Sequence, residues 1–222
     1  MAQGKITIKV NKDGPYIVTN IKKFTNSRGK TIETKEVMAL CRCGGSQNKP
    51  YCDGTHGKIG FKGHLIKDRS AGGPTASWED RGLKRVAYKG KEVTILDNRG
   101  VCSHAGFCTD MLPKVWDNKK EPWIDPNGAS KDEIIKVINK CPSGALSYKL
   151  NGKVFDEIKR EPSIFVSRDG PLYITGYPEL QDEIGSKPDS REHYTLCRCG
   201  ASKNKPFCDG QHWYIKFKDG KN

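Results

Sequence analysis

A segment of sixteen residues with three cysteines and one histidine occurs twice in this chain, at residues 41–56 and 197–212. Twelve of the sixteen positions are identical between the two copies. The same offset of 156 residues, without a gap, aligns an Asp-Gly-Pro turn at residues 13–15 with one at residues 169–171. Short runs of β-forming residues flank each turn. The repeat therefore predicts two small β units of one fold, each ending in its Cys/His segment.

The composition favours small units held by metal or disulfides over one large core. Of the 222 residues only 35% are apolar, while nine are cysteines, an odd number. The first ten residues lack the pattern of a secretory signal, and no apolar run is long enough to cross a membrane. We therefore expect a cytoplasmic protein without a membrane partner, in which reduced cysteines bind metal.

The formal net charge of +13 raises the question of nucleic-acid binding. The basic residues are scattered along the chain, however, and no helix-turn-helix or aromatic RNA-binding motif accompanies them. We therefore expect no nucleic-acid partner. A positive surface suits an acidic redox protein as partner, or serves solubility alone.

Each Cys/His segment has the spacing C-x-C-x8-C-x3-H. Cys41 and Cys43 are two residues apart, so in an extended segment their sulfurs face the same side. Cys52 and His56 are four residues apart and share one face of a helical turn, which Asp53 is placed to cap. Two ligand pairs therefore converge on one site. From the spacing alone, both a structural zinc ion and a larger inorganic cluster remain open.

The residues between the ligands resemble those of the CDGSH iron-sulfur family, whose pattern is C-x-C-x2-Ser-x3-Pro-x-C-Asp-Gly-x-His. In that family the four ligands hold a [2Fe-2S] cluster, with the C-x-C pair on the inner iron and the second Cys and the His on the outer iron. One departure is Gln211, which stands where the family usually has a small residue. The resemblance implies two such clusters, held by Cys41, Cys43, Cys52 and His56 and by Cys197, Cys199, Cys208 and His212.

The resemblance also implies an arrangement of the two copies. Family members with a single motif form dimers of two intertwined β units. Because this chain encodes both copies, we expect them to pair within one chain about a pseudo-twofold axis, so that a monomer suffices. The expected fold class is α+β, mostly β, with the two CDGSH units forming an internal pseudo-dimer around an inserted ferredoxin-like domain.

The segment between the copies has its own pattern of elements. Residues 92–96 predict a strand, and Ser130 with Glu133 forms a capping box before a helix that Cys141 and Pro142 end. We expect a first CDGSH domain at 1–68, a linker at 69–82, a ferredoxin-like domain at 83–156 and a second CDGSH domain at 157–222.

The insert contains the remaining cysteines, Cys102, Cys108 and Cys141. Their pattern resembles divergent single-cluster ferredoxins, in which a C-x2-C-x2-C loop and a distant Cys-Pro wrap a cubane cluster. The middle cysteine position is Ala105 here. Three thiolates suit a [3Fe-4S] cluster. The alternative, a [4Fe-4S] cluster, needs another ligand, for which His104 is the nearest candidate unless it is a loop histidine bonded to backbone.

The three sites together predict one-electron transfer between redox proteins by a multi-cluster carrier. Storage or delivery of clusters is an alternative that the labile histidine ligands favour, and a zinc-stapled interaction module is a third. No nucleotide-binding fingerprint and no pairing of a nucleophile with a base stands out, so we expect a carrier rather than an enzyme.

Overall fold

The computed structural model describes residues 5–64, 85–220 and 222. Its strands form three four-stranded sheets, which confirms the expected mostly β fold. Two sheets are built jointly by the first repeat (residues 5–64) and the second repeat (residues 157–222), and the third belongs to the insert (residues 85–156). The predicted linker at 69–82 lies outside the described residues.

The two repeats contain the same elements at the same offset. The first repeat comprises β1 (Thr7–Val10), β2 (Tyr16–Thr19), β3 (Lys23–Asn26), β4 (Val37–Leu40) and α1 (Thr55–Lys58). The second repeat, which follows the insert in the chain, comprises β9 (Ser163–Val166), β10 (Leu172–Thr175), β11 (Glu179–Gln181), β12 (His193–Leu196) and α4 (Gln211–Tyr214). Each Asp-Gly-Pro turn joins the first two strands of its repeat, as predicted.

The repeats exchange one strand each. In one sheet the strand order is β11-β1-β2-β4, and in the other it is β12-β10-β9-β3. Thr7 of β1 is in register with Glu179 of β11, and Ser163 of β9 with Lys23 of β3, both in parallel pairs. The two contacts are related by the offset of 156 residues. The expected internal pseudo-dimer of intertwined units is therefore confirmed.

A single apolar core joins the two repeats. In β1 to β4, β9 and β10, alternate side chains are buried, as expected for a sheet with one face on a core. The hydroxyl of Tyr16, fully buried in the first repeat, donates to the carbonyl oxygen of Cys197 in the second at 2.7 Å. The buried members of this core are Ile8, Val10, Tyr16, Val18, Ile21, Phe24, Met38, Leu40, Ile164, Val166, Leu172, Ile174, Tyr194, Leu196 and Phe207.

A buried arginine between the first two cysteines of each repeat ties the Cys/His segment to the turn. Arg42 is 1% exposed and donates to the carbonyl oxygens of Asn11, Gly14 and Gly63 at 2.8–3.3 Å. Arg198 occupies the equivalent place, with Asp219 replacing one of the carbonyl groups. A guanidinium group satisfies several acceptors at fixed angles, so this position holds the segment in place.

We expect Arg42→Lys to lower the free energy of unfolding by about 2–4 kcal/mol, because the single ammonium group leaves buried carbonyl oxygens without donors. Urea denaturation of the full chain measures the change. The matched control is Arg28→Lys, whose guanidinium is exposed and donates to Gly220 at 3.0 Å. An equal, small effect of the two substitutions would contradict this role of Arg42.

The insert is a separate sheet with helices on one side. Its four strands lie side by side in chain order, and Asn151 and Gly152 form the tight turn between the last two strands. The strand predicted at 92–96 begins two residues later, and the capping box of Ser130 and Glu133 is confirmed. The elements are β5 (Val86–Lys89), β6 (Thr94–Asp97), a 3-10 turn (Arg99–Val101), α2 (Phe107–Met111), α3 (Lys131–Ile138), β7 (Leu146–Leu150) and β8 (Lys153–Phe155).

The insert packs against the second repeat through polar contacts. The amide of Asn204 donates to the carbonyl oxygen of Gly100 at 2.5 Å, and the amide of Asn98 donates to the carboxylate of Asp189 at 2.6 Å. Arg85 also pairs with Asp189 at 3.4 Å. These contacts place the insert's cysteine loop beside the second Cys/His segment. Within the described ranges, no helix is long and apolar enough to cross a membrane.

Candidate metal centres

The first two cysteines of each Cys/His segment leave the sheet directly after its last strand. The Sγ atoms of Cys41 and Cys43 lie 3.9 Å apart, and those of Cys197 and Cys199 lie 3.7 Å apart. Two thiolates bound to one tetrahedral metal with bonds of about 2.3 Å lie about 3.8 Å apart. Each pair is therefore spaced to share one metal atom.

The two pairs meet at the pseudo-twofold axis, where Cys43 and Cys199 form a β-bridge. The residue after each bridge is a glycine with φ near +80°. A β-carbon on Gly44 would lie 2.5 Å from the carbonyl oxygen of Cys199, and one on Gly200 the same distance from that of Cys43. Only glycine fits this approach, so the backbone of each site shapes the other.

The second ligand pair of each segment lies on a short helical turn. The Nδ1 atom of His56 is 3.3 Å from the Sγ of Cys52, and that of His212 is 3.5 Å from the Sγ of Cys208. Each spacing suits a thiolate and an imidazole on one tetrahedral metal. The structure thus brings together all eight predicted ligands of the two repeats as four pairs.

Main-chain amides point at the sulfurs of both pairs. Gly45 donates to Cys43 at 3.4 Å, Gly54 to Cys52 at 3.5 Å, and Gly210 to Cys208 at 3.4 Å. Such donors stabilise thiolates and bound clusters. Asp53 accepts from the backbone of Thr55 at 3.0 Å and so fixes the start of α1, as its sequence position predicts, although Gly54 is the N-cap residue.

The three cysteines of the insert line one cavity of about 540 Å³. Cys102 follows the 3-10 turn, Cys108 lies in α2, and Cys141 follows α3. Burial, with a smaller contribution from the nearby Cys141, raises the pKa of Cys102 to about 12 and that of Cys108 to about 11. Neutral thiols are favoured here until a metal supplies positive charge, so the cavity is chemically suited to a cationic metal core.

The donor sets fit iron-sulfur clusters. All nine cysteines are free thiols. In the described part of the chain, no group of three or more His, Cys, Asp and Glu side chains converges on a single metal ion. In each repeat, two separate pairs instead supply two ligands each, which is the ligand requirement of a two-iron cluster.

Two families match the chain. The family described as "Divergent 4Fe-4S mono-cluster" matches residues 88–151, and the family described as "Iron-binding zinc finger CDGSH type" matches residues 13–57 and 169–213. Relatives named "Uncharacterized protein YjdI", from Escherichia coli K12 and O157:H7, are each 37% identical over 62 residues, which is 28% of this chain and 82% of theirs. No solved structure matches. The chain is an iron-sulfur protein of the CDGSH family.

The resemblance inferred from the residues is thereby confirmed, including the divergent 4Fe-4S domain inserted between the two CDGSH units. The two CDGSH sites nevertheless differ in exposure. Cys52 and His56 are half-buried, whereas Cys208 is 2% and His212 is 6% exposed. Burial, with smaller contributions from His104 and Arg198, lowers the pKa of His212 to about 4. The difference arises because the insert covers the second CDGSH site.

His104 lies at the contact between the insert and the second CDGSH unit. Its backbone has φ of +52°, and its carbonyl oxygen accepts from the indole Nε1 of Trp213 at 3.1 Å. Its ring packs on Gly210, where a β-carbon would lie 2.5 Å from Nδ1. The predicted role of His104 as an extra ligand stays a prediction. The placement links the loop of Cys102 to Trp213, the residue that follows the predicted ligand His212.

Two polar residues of the central cavity have no counterpart in the sequence-based prediction. Asp97 and Ser103 are 1% and 2% exposed and line the cavity, and their side-chain oxygens have no hydrogen-bond partner. The signal for Asp97 was its position two residues after Ile95 in one strand, which places both on the buried face of the sheet.

Proposed function

We propose that this CDGSH protein is a carrier of single electrons between redox proteins, with a [2Fe-2S] cluster in each CDGSH site and a cubane-type cluster in the insert. The observation that carries the proposal is the contact between the central cavity and the second CDGSH site. Trp213, adjacent to His212, donates to His104, which lies two residues from Cys102. Two cluster sites joined by so short a bonded path are suited to exchange electrons.

The ligands support a role in electron transfer rather than in catalysis. When bound, the clusters would supply reversible one-electron chemistry. A neutral histidine in place of a thiolate removes one negative charge from each CDGSH site, which raises its reduction potential relative to four thiolates. The central site, with thiolate ligands, is expected to have the lower potential. This ordering favours electron flow from the insert toward the second CDGSH unit.

The surface suits an acidic redox partner. The formal net charge is +13, and negative clusters would lower it only in part. Trp213 and Tyr214 border the central cavity and are 64% and 70% exposed, so aromatic side chains meet solvent beside two cluster sites. We propose that an acidic protein docks here in the reducing cytoplasm, where the thiols stay free.

The first test is the metal content of full-length protein purified without oxygen. We expect iron, acid-labile sulfide and visible absorption, with zinc absent. Colourless protein with stoichiometric zinc would refute the iron-sulfur assignment in this chain.

The second test is magnetic coupling in the chemically reduced protein. We expect the paramagnetic resonance signal of the central cluster to be broadened by the second CDGSH cluster, because their ligand loops are in contact. Cys208→Ser should remove this broadening. Cys52→Ser, the matched change at the first CDGSH site, should leave it. Equal effects of the two variants would contradict a preferred path through the second site.

Cluster delivery is a second candidate function, and the exposure of the first CDGSH site favours it. Cys52 and His56 are half-buried, so an acceptor protein can approach the ligands there. Stopped-flow mixing of the loaded protein with an apo-ferredoxin compares the two functions. Electron exchange with a reduced ferredoxin that is faster than transfer of a [2Fe-2S] cluster supports the carrier. The reverse order supports delivery.

A further inference from the structure

Asp97 is the last residue of β6 and projects from the same face of the sheet as Ile95. This face of the sheet packs against α3 in the core of the insert. Asp97 is 1% exposed and lines the cavity that also contains Cys102, Cys108 and Cys141. A carboxylate therefore occupies the position of a core side chain, in the wall of the candidate cluster site.

Neither carboxylate oxygen of Asp97 has a hydrogen-bond partner. A buried, ionised carboxylate without partners is strongly unfavourable, and native proteins rarely keep such a group without an ion or ligand that it binds. Arg99 attracts Asp97 electrostatically but forms no ion pair with it. The guanidinium of Arg99 instead lies over the ring of Trp123, 4.4 Å from the ring centroid. The local protein contacts leave the Asp97 oxygens free for a ligand.

A cubane cluster has four corners, and the insert offers three thiolates. Ala105, at the middle cysteine position of the ferredoxin pattern, has no donor atom. His104 also lines the cavity, but its ring packs on Gly210 of the second CDGSH unit. Asp97 therefore brings to the cavity wall a carboxylate, a metal-binding group, whose two oxygens are both without a partner.

We propose that the Asp97 carboxylate is the fourth protein ligand of the central site and completes a four-iron cluster with Cys102, Cys108 and Cys141. The inference deepens the proposed function and rests on it. Carboxylate oxygen is an accepted ligand of iron. Burial raises the pKa of Asp97 to about 6, so binding to iron would release the proton of a partly protonated carboxyl group. The hydroxyl of Ser103, which also lines the cavity without a partner, can donate a hydrogen bond to a cluster sulfur.

The experiment compares full-length protein with Asp97→Asn and Asp97→Cys, each loaded without oxygen. Iron content and the resonance signal of the oxidised state report the central cluster, because oxidised two-iron and four-iron clusters are diamagnetic and an oxidised three-iron cluster is paramagnetic. We expect no such signal in the unchanged protein. Asp97→Asn should lose one iron per chain and gain the three-iron signal. Asp97→Cys should keep the full iron content and lower the potential of the central cluster.

Two matched variants test whether Asp97, rather than another side chain near the cavity, is the fourth ligand. Asp110→Asn removes an exposed carboxylate from the same loop region, and we expect it to keep the full iron content. His104→Ala should also keep it. A three-iron signal in the unchanged protein, or iron loss in His104→Ala but not in Asp97→Asn, would overturn the assignment of Asp97 while leaving the iron-sulfur function intact. Absence of any central cluster would instead refute the proposed function.

Discussion

Gly200→Ala is expected to destabilise both CDGSH sites at once. The new β-carbon would lie 2.5 Å from the carbonyl oxygen of Cys43, a ligand of the other site, and 3.0 Å from its carbonyl carbon. The residue also has φ of +82°, where a side chain is strained. Strain and overpacking together should lower the free energy of unfolding by about 2–5 kcal/mol. Denaturation curves and the iron content of the purified variant measure the effect.

The matched control for this change is Gly29→Ala. Gly29 has φ of +72°, but no atom lies within 4 Å of an added β-carbon. It therefore carries the backbone strain without the clash, and we expect a loss of about 1–2 kcal/mol with clusters retained. Gly44→Ala, the pseudo-symmetric counterpart, should reproduce the Gly200→Ala result. If Gly200→Ala behaves like Gly29→Ala, the close approach at the pseudo-twofold axis is not needed for cluster binding.

Acidification is expected to release the two proposed [2Fe-2S] clusters in sequence, the first CDGSH site before the second. Only a neutral ring can offer Nδ1 to iron, so a proton competes with the metal. Burial lowers the pKa of His212 from 6.5 to about 4. A lowered pKa means that the stability contributed by the neutral ring is complete above pH 6.5 and is lost as the pH falls through about 4. The half-buried His56 is more accessible to solvent than the buried His212.

Visible absorption during stepwise acidification should therefore fall in two phases of similar size. The variants His56→Cys and His212→Cys assign the phases, because a thiolate ligand replaces the titrating ring and also lowers the potential of that site. His56→Cys should shift only the phase at higher pH. The double variant should lose both acid-induced phases of the wild-type absorption profile. An unchanged pH dependence in the double variant would exclude histidine protonation as the cause of release.

Much of the fold follows from one repeated pattern in the sequence. The offset of 156 residues carries every strand of one repeat onto the other, and the spacings of two and four residues predict which ligands pair. The exchange of β3 and β11 could be predicted only from the family resemblance, because the sequence of neither strand indicates which strand it pairs with. A strand selects its neighbours by contacts distant in sequence, which local patterns do not record.

The asymmetry of the CDGSH sites and the role of Asp97 were beyond sequence reasoning. The two Cys/His segments are so similar that they do not indicate which site the insert covers. Asn204 and Asp189, ordinary polar residues in the sequence, join the second unit to the insert. Asp97 ends a strand, where a carboxylate usually marks a turn. Only the three-dimensional placement reveals that it faces a cavity with cysteines.

The exchanged strands also set an order of assembly during synthesis. The first sheet needs β11, which the ribosome makes only after the whole insert. The insert, whose sheet pairs strands within residues 86–155, has all its strands earlier. The fold of the N-terminal CDGSH site therefore stays incomplete, with its cysteines exposed, until the C-terminal unit is synthesised. The cysteines of this site are made before β11, so a factor that delivers iron to the folded site meets a chain that already contains the insert and β11.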